Sequence, residues 1–288
     1  MGKIKLYLSL VKFSHTLFAM PFAIVGFFIA TNYYNYGFDI ETLVYVLLCM
    51  VFVRNAAMAF NRYVDKRFDK ENERTSGREI PKGLIKPSNA LIFVIINSAA
   101  FIVVTWFINR LCFYLSPIVL LVVLGYSFTK RFTFISHYIL GIGLGLAPIG
   151  AFLAVSGEFR ILPILLSIAV WAWVSGFDII YSVQDEEFDR QNRLFSIPAY
   201  FGTKRALYIS RLTHFISAAF IIATVFIGGF GYKYVLAVSV FCGLLIYQHT
   251  IVKADDLSRV DFAFFNLNGL ASVLFAILAV WELLEIGN

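Results

Sequence analysis

The stretch Arg54–Gly83, RNAAMAFNRYVDKRFDKENERTSGREIPKG, decides how this chain is read. It begins as the end of an apolar run and finishes as a charged segment. Asn61, Asp65 and Asp69 recur at i, i+4 and i+8. At about 100° per residue on an α-helix they share an arc of roughly 80°, and Arg54 joins the same stripe. A second stretch answers the first: DIIYSVQDEEFDRQNR, Asp178–Arg193. By the same arithmetic Asp178, Asp185 and Asp189 fall on one helical face within about 40°. Each acidic stripe stands at the polar end of a hydrophobic segment, and any function must explain both.

Working outward, 60% of the 288 residues are hydrophobic and only 15% are charged, well below the roughly 25% charged of soluble domains. Apolar runs near the ~20 residues needed to cross a bilayer recur along the whole length. They are too long and too uniformly apolar for barrel strands, so they are read as helices. The fold class expected is an all-α polytopic membrane protein, with residues 1–288 forming a single transmembrane domain. The net charge of +6 does not indicate a nucleic-acid surface, because the basic residues sit in loops between spans. Cys49, Cys112 and Cys242 lie in apolar runs without metal-like spacing and read as buried apolar residues. The N-terminus has the basic start of a signal peptide. Its apolar part is long and interrupted by Lys12 and His15, so a first, uncleaved membrane helix is the better reading.

Nine spans are expected, at about 13–31, 41–64, 90–108, 111–128, 136–155, 161–184, 205–229, 232–249 and 262–284. Lys and Arg concentrate in the N-terminal tail and in the loops after spans two, four, six and eight. The alternate loops hold only Arg110, Arg160 and Lys233. That asymmetry puts the N-terminus and both acidic stripes on the cytoplasmic side of the cell (inner) membrane, with the C-terminus outside. Topology accounts for the basic residues. It does not account for the acids, since Asp and Glu contribute little to orientation.

Carboxylates gathered at one mouth repel unless a cation joins them. Hard oxygen donors suit Mg²⁺, which keeps several waters and usually takes one or two carboxylates plus substrate phosphates. Asn61 adds a neutral oxygen and two donors. Facing stripes would hold Mg²⁺ and a diphosphate between them, with the neighbouring Lys and Arg completing the clamp. The bland alternative is a pair of ordinary helix ends with solvated charges and i, i+4 ion pairs. Two such motifs on one membrane side, with Asn61 and Arg54 in line, favour the clamp.

The pattern N61-x3-D65-x2-F68-D69-x4-R74-T75-x2-R78-x4-G83 closely resembles the signature of the UbiA family of membrane prenyltransferases. The stretch D178-x2-Y181-x3-D185-x3-D189 resembles that family's second aspartate motif. Tyr126-Ser127-Phe128-Thr129-Lys130-Arg131 resembles its Tyr-Pro-x-x-Lys-Arg stretch. The resemblance extends over essentially the whole chain and implies the nine-helix UbiA-like fold. Two departures are Asn72, where the signature usually has Val or Met, and Ser127 in place of Pro; neither touches a carboxylate. The resemblance implies a Mg²⁺-dependent transferase that moves a polyprenyl group from polyprenyl diphosphate to an aromatic ring carbon. Asp65, Asp69, Asp185, Asp189 and Asn61 would hold the metal, and Lys130, Arg74, Arg78 and Arg131 would meet the diphosphate charge. Lipid around the site would exclude water and admit the isoprenoid tail.

Arg54 lies about 10 Å deeper along the helix than Asn61. A cation so far inside a span is costly and usually functional, and its fork binds a carboxylate bidentately. The acceptor should therefore carry one. An Arg at the equivalent place in relatives that prenylate 4-hydroxybenzoate is similar. The run LVKFSHTLFAMPFA, whose Lys12 and His15 near the cytoplasmic mouth are candidate substrate-binding residues, resembles the 4-hydroxybenzoate-like branch, which includes the MqnP type of the futalosine menaquinone route. Tyr126, Asp178 and Tyr181 complete the expected substrate-binding set, with Asp178 and Tyr181 either bonding the acceptor hydroxyl or orienting Asp185, a supporting role rather than a chemical one. His137, His214 and His249 show no ligand spacing and receive no role.

The expected function is polyprenylation of an aromatic carboxylic acid in ubiquinone or menaquinone synthesis. Within that class the alternative acceptor is a carboxylated dihydroxynaphthoate. A secondary transporter is the rival from another class. Its sites would sit near the bilayer midplane, whereas these acids gather at one face. A catalytically dead lipid-binding relative is opposed by the complete aspartate set.

Overall fold

Inside lipid a backbone must satisfy its own polar groups, and a long apolar run does so as a helix. The computed structural model describes residues 3–12 and 18–287. In them the chain is helical apart from turns and one isolated bridge, Lys253 to Asp256. Short α1 (Lys3–Leu10) precedes α2 (Met20–Phe28), which runs into a π-turn at Ile29–Tyr33. Then come α3 (Ile40–Val64), α4 (Lys66–Glu71), α5 (Pro87–Ile108) and α6 (Arg110–Thr129). The second half holds α7 (Ser136–Ser156), α8 (Ile161–Ser182), α9 (Glu186–Gln191), α10 (Ile197–Phe201) and α11 (Thr203–Gly228). It closes with α12 (Tyr232–Ile251), one-turn α13 (Val260–Phe262), a π-turn at Ala263–Leu267 and α14 (Asn268–Ile286).

Among the described residues, eight helices are long and apolar enough to cross a membrane, and Met20–Tyr33 is a shorter apolar one. Their ends fall close to those expected. The expected first span is described only from Phe18 onward, because residues 13–17 lie outside the described residues. Large apolar side chains cover the outside of the bundle: Phe226 is 79% exposed and Leu121 73%. A water-soluble monomer does not carry apolar patches on this scale. The chain is an integral membrane protein.

Caps mark the helix starts. Asp39 accepts from the Glu41 and Thr42 amides to open α3. Asn109 accepts from the Cys112 amide at 2.8 Å to open α6, and its own amide donates to the Leu153 carbonyl of α7. The largest core gathers around fully buried Trp173, with Phe22, Phe241 and Phe275 packed about it. Trp173 also donates to Asn268 Oδ1 at 3.0 Å. Asn268 Nδ2 in turn donates to the Ala263 and Phe264 carbonyls, both at 3.1 Å. A π-turn disturbs the regular helical pairing of such carbonyls, and this amide satisfies them inside the protein. Where α2 crosses α7, Gly26 lies against the Pro148 carbonyl, and a Cβ there would stand 2.1 Å from that oxygen.

These packings set α3, α6 and α8 with their C-terminal ends and α7 with its N-terminal end at one end of the bundle. The segment 72–86 folds back over that end: Ile80 and Ile85 are buried against Leu10, Ala56, Ala59, Ala90 and Val94.

Candidate active site

The two acidic motifs do not lie on continuous helices, as the stripe reading had them. Asp65 separates α3 from α4 with φ −91° and ψ 8°. Asp185 ends a one-turn 3₁₀ segment, Val183–Asp185, between α8 and α9, with φ −102° and ψ 5°. Both occupy the sparsely populated bridge region in which many active-site residues sit. The break at Asp65 is shallow, since Asp65 N–H still reaches the Asn61 carbonyl at 2.9 Å and Asp69 N–H the Asp65 carbonyl at 2.8 Å. The stripe arithmetic therefore survives. Asn61, Asp65 and Asp69 line the same cavity as Asp178, Asp185 and Asp189.

Each motif carboxylate meets one cation. Arg131 Nη2 donates to Asp65 Oδ1 at 3.2 Å and to the Val64 carbonyl at 3.0 Å. Arg78 pairs with Asp69. Arg74 forks onto Asp185, with Nε at 3.0 Å from Oδ1 and Nη2 on Oδ2. Lys130 Nζ stands 3.5 Å from Asp189 Oδ2. Asn61 Nδ2 donates to Asp65 Oδ2 at 3.0 Å. Arg74 Nη1 donates to Tyr181 Oη at 2.9 Å, and the Tyr181 ring stacks on Phe264. The expected cations Arg74, Arg78, Lys130 and Arg131 and the expected Tyr126 and Tyr181 all line the cavity. Burial and the adjacent Asp69 carboxylate raise Asp65 above the ordinary carboxylate range, despite Arg131. Burial opposes the charge on Lys130, but Asp189, Asp185, Asp178 and Asp65 outweigh it and hold the ammonium above its ordinary value.

The cavity measures about 190 Å³. No three His, Cys, Asp or Glu side chains converge on one point among the described residues, so this is not a metal cage built of protein alone. The donor set fits Mg²⁺ in its other mode, one or two carboxylates with water and phosphate completing the shell. Asp69 Oδ2 is buried and takes no hydrogen bond among the described residues, an orphaned hard oxygen of the kind a divalent cation uses.

Two expected residues stand apart, and a third is not among the described residues. Arg54 does not line this cavity: Nη1 donates to the Val11 carbonyl at 3.1 Å and Nη2 to the Lys12 carbonyl at 3.3 Å. The two carbonyls follow the last turn of α1, where a helix leaves such groups unpaired. Lys12 is exposed, with φ +46°. His15 lies outside the described residues.

The structure adds residues that sequence reading missed. Asn72, one of the two departures from the family signature, is buried and does touch a carboxylate: it donates to Asp185 Oδ1 at 3.0 Å. Its own oxygen accepts from the Arg74 amide at 2.9 Å. That corrects the expectation that neither departure would do so. Ser127 and Ser136 line the cavity with buried hydroxyls that have no hydrogen-bond partner among the described residues. His137, which received no role, lies 2.7 Å from Asp178 Oδ2. Its position two residues beyond a loop gave no periodic signal that sequence reading could use.

Residues 19–270 match the UbiA prenyltransferase family. The 4-hydroxybenzoate octaprenyltransferase of Tolumonas auensis is 28% identical over 237 residues, 82% of each chain. That of Paraburkholderia phymatum is 30% identical over 239 residues, 83% of each. Among solved structures, the apo form of a UbiA homolog from Aeropyrum pernix K1 superposes with TM-score 0.85 at 32% identity, covering 93% of this chain and 98% of that one. A UbiA homolog from Archaeoglobus fulgidus bound to DMAPP and Mg²⁺ shares the fold at TM-score 0.73 and 19% identity, over 96% and 98% of the two chains. With paired aspartate motifs closing on one basic cavity at the end of a helical membrane bundle, this chain belongs to the UbiA prenyltransferase family and is an intramembrane prenyltransferase.

Proposed function

We propose that this enzyme transfers a polyprenyl group from polyprenyl diphosphate to a ring carbon of a 4-hydroxybenzoate-like aromatic acid, for ubiquinone or menaquinone synthesis, with the site facing the cytoplasm from the inner membrane. The observation that carries the reading is the pairing of four motif carboxylates with four cations around one cavity. Such a site can exchange partners: a diphosphate takes the Arg and Lys side chains, which frees the carboxylates. Asp65, Asp69, Asp185 and Asp189, with Asn61, would hold Mg²⁺, which would supply Lewis-acid stabilisation of the charge developing on the diphosphate.

The chain's own groups do the rest. When the allylic C–O bond breaks, the electron pair leaves with the diphosphate, and Lys130, Arg74, Arg78 and Arg131 face the growing negative charge. Such preorganised charge is usually the largest electrostatic contribution to a rate. The ring carbon of the acceptor then attacks the allylic carbon, and its proton passes to the released diphosphate, which restores aromaticity. Asp178, which has no Arg or Lys partner among the described residues, is suited to accept the hydrogen bond of the acceptor hydroxyl. A cavity of about 190 Å³ suits reacting head groups rather than a long tail, so the isoprenoid extends toward lipid. Arg54 is the proposed anchor of the acceptor carboxylate, with an electrostatic neighbour in cavity-lining Tyr126.

A second reading within the class is a carboxylated dihydroxynaphthoate. The unpartnered hydroxyls of Ser127 and Ser136 favour it, because a bicyclic acceptor brings a second hydroxyl for them to bind. Purified enzyme with labelled polyprenyl diphosphate, Mg²⁺ and a panel of aromatic acids tests both. Prenylated product from 4-hydroxybenzoate or from the naphthoate, and none from neutral phenols, is expected. Equal use of acceptors without a carboxylate would overturn the acceptor class.

A further inference from the structure

We propose that His137 is a positioning residue: as a neutral Nδ1–H imidazole it aims Asp178 at the acceptor hydroxyl and ties that aim to the segment carrying the second motif. The inference rests on the proposed role of Asp178 and goes beyond it.

The imidazole is fully buried in the first turn of α7. Its Nε2 is 3.3 Å from the Ile197 backbone nitrogen, whose N–H donates to it. That amide is one of the orphan donors that every helix start exposes, here the start of α10. A ring nitrogen that accepts carries no proton, so in the neutral ring the proton is on Nδ1. Nδ1 lies 2.7 Å from Asp178 Oδ2 and donates to it. Two hydrogen bonds to two different elements thus fix both the tautomer and the ring plane.

Asp178 differs from the other cavity acids in its partner. Asp65, Asp69, Asp185 and Asp189 are paired with Arg131, Arg78, Arg74 and Lys130. Asp178 is held by a neutral ring, and its Oδ1 takes no hydrogen bond among the described residues. Its side chain is 21% exposed and lines the cavity. One oxygen is therefore spent on orientation and the other is free for a donor on the acceptor. No Arg or Lys partner competes with that donor.

The other side of the ring ties to function as well. Between Asp189 and Ile197 the chain passes Leu194, which lines the cavity, and Phe195, whose amide donates to the Lys130 carbonyl at 2.6 Å. His137 thereby joins the acceptor side of the cavity to the segment that carries Asp189 and braces Lys130.

Asn and Gln separate the two bonds. His137→Asn keeps an N–H near the Nδ1 position, and His137→Gln keeps an acceptor near the Nε2 position. With acceptor and donor varied separately, His137→Gln should lower acceptor kcat/KM about ten- to a hundredfold, the loss of a charge-assisted hydrogen bond. His137→Asn should recover most of that loss, and the donor KM should stay unchanged in both. In ¹⁵N-histidine-labelled wild type, the His137 resonances should report the Nδ1–H tautomer, and Asp178→Asn should shift that proton. Equal acceptor kinetics for His137→Gln and wild type, equal losses in the two variants, or an Nε2–H tautomer would overturn the proposal. Asp178→Asn kinetics distinguish the premise: if that variant uses acceptor as wild type does, the role given to Asp178 itself falls. If it is impaired while His137→Gln is not, only the positioning role of His137 falls.

Discussion

Arg54 shows how much one residue can carry and where a sequence stops informing. Its depth in α3 and its place on the stripe with Asn61 are plain from spacing. That its guanidinium also holds the Val11 and Lys12 carbonyls is a contact across more than forty residues of chain, which no local pattern encodes. The two roles are separable. Arg54→Ala should cost about 1.5–3 kcal/mol, or ten- to a hundredfold, in acceptor kcat/KM while donor binding holds. Arg54→Lys should rescue only partly, because an ammonium lacks the fork. An acceptor whose carboxylate is replaced by a neutral group should be used poorly by wild type and little worse by Arg54→Ala. Equal loss on both compounds would make Arg54 a brace for α1 rather than a carboxylate anchor. Asn72 makes the same point about legibility: it stood out as a departure from a signature, and only the fold shows its amide on Asp185.

At the scale of the helices, apolar runs and their approximate ends were readable because lipid leaves the backbone few choices. The breaks at Asp65 and Asp185 were not, since no Gly or Pro marks either one. They turn each motif into two short pieces that wrap the cavity mouth rather than pass it. The crossing of α2 and α7 was likewise hidden: Gly26 reads as one more small residue in an apolar run. A Cβ there would meet the Pro148 carbonyl at 2.1 Å, a separation that cannot persist, and the backbone of either helix must shift. Gly26→Ala should therefore destabilise the purified protein by roughly 1–3 kcal/mol, the usual cost of overpacking, visible as a lowered thermal midpoint in detergent. Gly150→Ala, two residues further along α7 with open space around it, should leave the midpoint near wild type. An unchanged midpoint for Gly26→Ala would contradict the close crossing.

At the scale of the molecule, a helical bundle that faces lipid on its outside gathers most of its ion pairs at one end, with Arg160–Glu158 and Lys233–Glu285 at the other. The acids there are matched to cations around one cavity. Composition and spacing led to the expectation of a diphosphate with a divalent cation, since hard oxygens beside Arg and Lys have few other uses inside a membrane. Ser127, Ser136 and His137 lay beyond that reach, because their positions follow from packing rather than from pattern. The central claim is that the two aspartate motifs bind the donor through a divalent cation. Calorimetric binding of a non-hydrolysable prenyl diphosphate analogue tests it directly, in wild type and in Asp65→Asn and Asp185→Asn, with Mg²⁺ or with EDTA. Binding that needs Mg²⁺ in wild type and falls at least tenfold in both variants is expected, a loss of about 1.4 kcal/mol or more. Equal affinity in EDTA and Mg²⁺, or variants that bind as wild type does, would contradict it.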